Sequence, residues 1–126
     1  MKKIVFVLFS AISSLYAQKK DIVYRIAFDS NPVVGYSYNV NLLMLDEDHH
    51  YVFIEQKYIS KKMARKNIPF ITLKEKGNWS INKDTLKIVN EENKMESRFI
   101  IVDDKRIVFV FNNEDKSGYY WKKIDY

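Results

Sequence analysis

From residue 22 onward the chain alternates apolar and polar side chains in short runs, each closed by a cluster of Asp, Asn, Lys or Gly. A period of two is the mark of a strand with one face buried, because successive side chains leave a strand on opposite sides. Ile22, Tyr24, Ile26 and Phe28 alternate against Val23, Arg25 and Ala27. Tyr36, Tyr38, Val40, Leu42 and Met44 alternate against Ser37, Asn39, Asn41, Leu43 and Leu45, and Tyr51 to Tyr58 forms a third run after the polar turn 46–49. From Phe70 the rhythm is regular, with runs at 70–74, 79–81, 85–89, 95–102, 107–111 and 119–124 and polar turns between them, the first over Glu75-Lys76-Gly77. Hairpin-length connections with no strong helix between them predict an all-β fold, an antiparallel meander of about seven to nine strands. Such a meander leaves two raw edges unless it curls. An up-and-down barrel or a strongly curled half-barrel follows, whereas a two-layer sandwich asks for longer crossing connections.

One segment breaks the rhythm. Residues 59–68 lack alternation, and Ile59, Met63 and Ala64 set only a narrow apolar edge, as in a short helical or loop insertion between strands. Lys57, Lys61, Lys62, Arg65 and Lys66 load this neighbourhood with positive charge and no acid between them, which suits an acidic protein partner.

The amino terminus follows another logic. Met1-Lys2-Lys3 is basic, Ile4 to Ile12 is almost unbroken apolar sequence, and Leu15-Tyr16-Ala17 ends on a small residue before Gln18. This is the layout of a secretory signal peptide over residues 1–17, too short in its apolar core for a permanent membrane span. Cleavage before Gln18 leaves a single domain over 18–126, exported to the periplasm or secreted. Removing Lys2 and Lys3 lowers the formal net charge from +5 to +3. So mild an excess on an exported domain argues against nucleic acid as a partner. The chain has no cysteine, so the core alone stabilises the fold and no thiol is available as nucleophile or metal ligand.

Chemistry-bearing constellations are sparse. Asp46-Glu47-Asp48-His49-His50 contains the only two histidines, but neighbours on a strand point to opposite faces and cannot share an ion, so no metal site is assigned. There is no G-x-S-x-G elbow and no glycine-rich phosphate cradle. The remaining acids fall mostly in turns, and no catalytic residue, enzyme activity or cofactor is expected.

The segment Gly77-Asn78-Trp79-Ser80-Ile81-Asn82-Lys83-Asp84-Thr85-Leu86-Lys87-Ile88 resembles the G-x-W and D-T-L hairpin phrase of lipocalin-like domains in small exported bacterial β-proteins. The resemblance implies a compact barrel or half-barrel whose interior holds an apolar small molecule. Within it, Gly77 and Trp79 match the G-x-W element, whose Trp plugs one end of the barrel under a basic residue; Lys122 and Lys123 are candidates for that cover. The chain departs from the pattern in placing three strands before the element, which opens the first strand in lipocalins. The candidate ligand-lining or core positions are Tyr38, Val40, Leu42, Trp79, Ile81, Leu86, Phe99, Ile101, Phe109 and Trp121. The alternative is a protein-interaction or inhibitor module that acts through a sheet edge or the basic 57–66 segment.

Overall fold

The computed structural model describes residues 21–31, 35–110 and 120–124. The expected signal peptide and its cleavage point lie outside these residues, as do Phe111 and Tyr119 of the two last expected strands.

Eight strands form one closed antiparallel barrel in chain order: β1 (Ile22–Ser30), β2 (Ser37–Leu45), β3 (His50–Tyr58), β4 (Ile71–Asn82), β5 (Thr85–Asn90), β6 (Glu96–Asp103), β7 (Arg106–Phe109) and β8 (Tyr120–Ile124). β8 closes the ring by pairing with β1, Tyr24 standing opposite Lys123. The one helix among the described residues, α1 (Lys61–Arg65), occupies the expected insertion. Ser60 starts it, accepting the Met63 N–H at 3.2 Å from an extended backbone.

The turns form where polar side chains satisfy their own backbone. Asp46 Oδ1 accepts the N–H groups of Asp48 and His50 at 2.9 and 2.8 Å, with His49 between them at a φ of 66°. Asn90 Oδ1 likewise accepts from Glu92 and Asn93, and Asp103 Oδ1 from Lys105.

One expected turn is absent. The chain runs straight through Glu75-Lys76-Gly77 as the middle of β4, twelve residues long. Gly77 serves close approach instead of a bend. It faces Tyr51 on one side and Asn90 on the other, and a Cβ there would strike the Val89 carbonyl and lie 2.7 Å from the Tyr51 ring. Glycine is what lets β5 come this close.

Every strand sends a side chain into one core. Tyr24, Leu43, Leu45, Tyr51, Leu86, Ile88, Phe99, Ile107 and Trp121 are buried together, with Trp79, Phe53, Ile101 and Phe109 packed against them. Phe99 meets Trp121 edge-on at 5.4 Å and Phe109 at 5.3 Å, geometries that the ring quadrupoles favour. Burial of such side chains stabilises by roughly 1.5–3 kcal/mol each.

This core fixes which face of β2 is inside. Leu43 and Leu45 are buried in it, so Ser37, Asn39 and Asn41 also point inward, and Tyr38, Val40 and Leu42 stand on the outer wall. Val40 is nonetheless buried, at 7% exposure, while Tyr38 and Leu42 are half-buried on the face away from the aromatic cluster. Strand β2 is apolar on both faces from Leu42 to Leu45. Its facing was therefore decided by Leu43, Leu45 and the Asp46 turn, not by the cleaner alternation before them.

Candidate ligand site at the open end

Among the described residues, all eight strands of the closed barrel stand together at one end only. β5 pairs with β4 from Asn82 back to Gly77, and β8 pairs with β1 only over Val23–Arg25. Ile71–Lys76 of β4 and Ile26–Ser30 of β1 extend further. Beyond that level the described residues form a curved four-stranded wall, β1-β2-β3-β4.

The concave face of this wall is polar where the core below it is not. Registered pairs bring Phe28 beside Asn39, Asn41 beside Glu55, Asn39 beside Lys57 and Glu55 beside Leu73. Asn39 is only 1% exposed. Its Oδ1 lies 3.4 Å from both the Lys57 ammonium and the Ser37 hydroxyl. Its Nδ2 has no hydrogen-bond partner, and neither does the equally buried Oδ1 of Asn41. One amide donor and one amide acceptor are thus held inside the wall with nothing to bond. Leaving such a group dry costs roughly 1–3 kcal/mol.

Charges border the pair. Lys57 Nζ sits 3.6 Å from Glu55 Oε2, both side chains about one-third exposed. Below them the Tyr51 hydroxyl donates to Glu75 Oε2 at 2.6 Å. Burial, reinforced by the Glu75 carboxylate, holds that hydroxyl well above the usual phenol range. Phe28 is half-buried beside the pair, while Ile71 and Leu73 on the same face are exposed at the lip.

The expected site residues divide between the two ends. Leu86, Phe99 and Trp121 are buried in the packed core, with Ile101 and Phe109 against it, while Ile81 is half exposed near the β4–β5 turn. Trp79 sits at the closed end, its Nε1 donating to the Asp46 carbonyl at 3.0 Å. The side chain stacked on it, at 4.5 Å between ring centroids, is His49, whose Nδ1 lies 3.2 Å from the Trp79 carbonyl oxygen. Lys122 and Lys123, the expected covers, are exposed on β8. His50, the first residue of β3, turns instead toward Asp46, at 3.7 Å, so the two histidines have different partners.

The basic set is also split. Lys57 points inward to Asn39 and Glu55, whereas Lys61, Lys62 and Arg65 lie on α1 and Lys66 caps it. Lys61 reaches over the Tyr38 ring on the outer wall, 5.9 Å from its centroid.

Ser37, Asn39, Asn41, Glu55 and Glu75 were not singled out by sequence. The signal that finds them is the apolar pair Leu43 and Leu45 two and four positions beyond Asn41, which carries the whole odd-numbered face of β2 inward. Among the described residues no cluster of His, Asp and Glu is arranged to hold a metal ion, and no helix is long and apolar enough to cross a membrane.

No family model, curated protein or solved structure matches the chain.

Proposed function

We propose that this is a small exported, non-enzymatic binding module that holds a small molecule at the open end of its barrel, as a lipocalin-like domain does. One observation carries the reading: the Asn39 Nδ2 donor and the Asn41 Oδ1 acceptor are buried side by side without partners on the concave wall. A strand that turns Ser37, Asn39 and Asn41 inward departs from the binary pattern of a stable core. Violations of this kind belong at functional sites.

The same atoms define the ligand. It presents an acceptor to Asn39 and a donor to Asn41, as an amide, a lactam or a nucleobase edge does. Lys57 and Glu55 add a flanking cation and anion. An apolar portion rests on Phe28 and Leu73. The apolar ligand expected from the sequence thereby gains a polar, amide-like edge.

Native mass spectrometry of the exported protein, compared with its Asn39→Leu and Asn41→Leu double variant, tests the reading. The wild type is expected to carry a small mass that is lost on denaturation, and the folded double variant to lack it. An equal adduct on both proteins contradicts the site.

A further inference from the structure

We propose, resting on the binding reading above, that the molecule held at the open end is an amine whose ammonium group docks between Glu55 and Glu75 while its amide edge meets Asn39 and Asn41. The concave wall is ordered in levels. Register places Asn39, Lys57 and Ile71 side by side at the lip, then Asn41, Glu55 and Leu73, then Leu43, Phe53 and Glu75 where the packed core begins. Charge on this face therefore runs from one cation at the lip to two carboxylates below it. The unpartnered amide atoms follow the same order. The Asn39 Nδ2 donor, on a side chain only 1% exposed, stands at the level of Lys57, and the Asn41 Oδ1 acceptor at the level of Glu55.

The two carboxylates are not equally neutralised. Lys57 Nζ lies 3.6 Å from Glu55 and 3.4 Å from Asn39, so the inward-facing cation is already committed. Glu75 is half-buried and accepts the Tyr51 hydroxyl at 2.6 Å, but among the described residues it forms no ion pair. A neutral hydroxyl satisfies one lone pair and leaves the charge standing. Lys74 and Lys76, its neighbours in sequence, leave β4 on the outer face. At these levels β1 contributes Phe28, Ile26 and Tyr24, none of them charged at neutral pH. On its other side Glu75 borders a groove of about 250 Å³ where Glu91 and Glu92 stand with it against Lys74 and Lys76. Acids exceed bases on both sides of this carboxylate, which favours a cation from outside.

Spacing sets the shape of that cation. Adjacent strands lie about 4.8 Å apart, so β2 and β4 are roughly 10 Å apart across β3. An amide and an ammonium joined by about five methylenes cover that span once hydrogen bonds of about 3 Å are allowed at the ends. The methylenes rest on Phe53 and Leu73, the apolar residues between the polar stations.

The test uses the full protein, stripped by denaturation and refolding, and three probes of one length: 6-aminohexanamide, hexanamide and the monoamide of adipic acid. By calorimetry 6-aminohexanamide is expected to bind about tenfold or more tightly than hexanamide, with the anionic probe last, and the advantage should shrink as salt is raised. Glu75→Gln keeps an acceptor for Tyr51 and removes the charge. It should bring 6-aminohexanamide down to the affinity of hexanamide and leave hexanamide unchanged. Glu55→Gln should act in the same direction, which keeps the proposal falsifiable should the Glu75 variant misfold. Equal binding of hexanamide and 6-aminohexanamide, both lost in the Asn39→Leu and Asn41→Leu double variant, would overturn the cation and keep the amide reading. An advantage that survives both glutamine variants, or a preference for the anionic probe, would likewise overturn it. Failure of all three probes at millimolar concentration would overturn both readings together.

Discussion

The two ends of this barrel are made from the same strands and do opposite things with their inward positions. At the end closed by the Asp46 turn, all eight strands contribute apolar side chains to one contact cluster, and Trp79 is fixed there by the Asp46 carbonyl and the His49 ring. At the other end only four strands stand in the described structure, and their inward positions carry Ser37, Asn39, Asn41, Glu55 and Lys57. The closed end is therefore where stability resides, and the open end accepts unsatisfied polar groups that a core selected for stability alone would exclude. Packed apolar groups and unsatisfied polar groups are separated along the barrel axis.

Substitutions sharpen or break that separation. The largest effect belongs to Phe99→Ala, which empties the centre of the aromatic cluster and should cost about 3–5 kcal/mol in denaturant unfolding. Leu73→Ala at the lip should stay within about 0.5 kcal/mol of wild type. Comparable losses at both positions would remove the distinction between the ends. Next comes Gly77→Ala, where the new methyl meets the Val89 carbonyl and the Tyr51 ring. It should lower stability by about 1–3 kcal/mol, and a neutral result would show that β5 is not held as close as described.

Asn39→Leu acts on the ligand instead. It removes a buried donor that has no partner but also the acceptor of the Ser37 hydroxyl and the Lys57 ammonium, so unfolding free energy should stay within about 1 kcal/mol of wild type while the small-molecule adduct disappears. A large loss of stability here would make Asn39 a structural residue and sink the ligand reading.

The smallest effect is alkaline. The Tyr51 hydroxyl sits above its ordinary value of 10.0, so its contribution is complete below that pH and is lost as pH rises beyond it. Thermal midpoints should fall faster above pH 10 in the wild type than in Tyr51→Phe, by the equivalent of about 1 kcal/mol per pH unit. Parallel curves would show that Tyr51 is not the group responsible.

The legibility of the sequence differs between the ends for the same physical reason. Where a strand alternates apolar against polar and its apolar face is the one buried, the pattern reads correctly, as in Ile22, Tyr24 and Ile26 or Leu86 and Ile88. The meander and the insertion around α1 followed from that rhythm, while closure stood beside a half-barrel as an alternative until β8 was seen to pair with β1. β2 misled because both of its faces are apolar near the turn, and the polar residues above it follow Leu43 and Leu45 inward. β4 misled in another way, since Glu75-Lys76-Gly77 has the composition of a turn, while its Glu bonds Tyr51 and its Gly admits β5. His49 as the cover of Trp79 depends on a turn with positive φ, and alternation along strands carries no information about it. In each case a long-range partner overrode a local preference.

Site-resolved hydrogen exchange tests the division between the two ends most directly. The protein is measured as isolated and again after denaturation and refolding in clean buffer. Amides at Leu43, Phe99 and Ile107 should exchange equally slowly in both samples, while those at Asn39, Asn41, Glu55 and Lys57 should exchange faster after stripping. Identical profiles throughout, or a change confined to the closed end, would contradict the account.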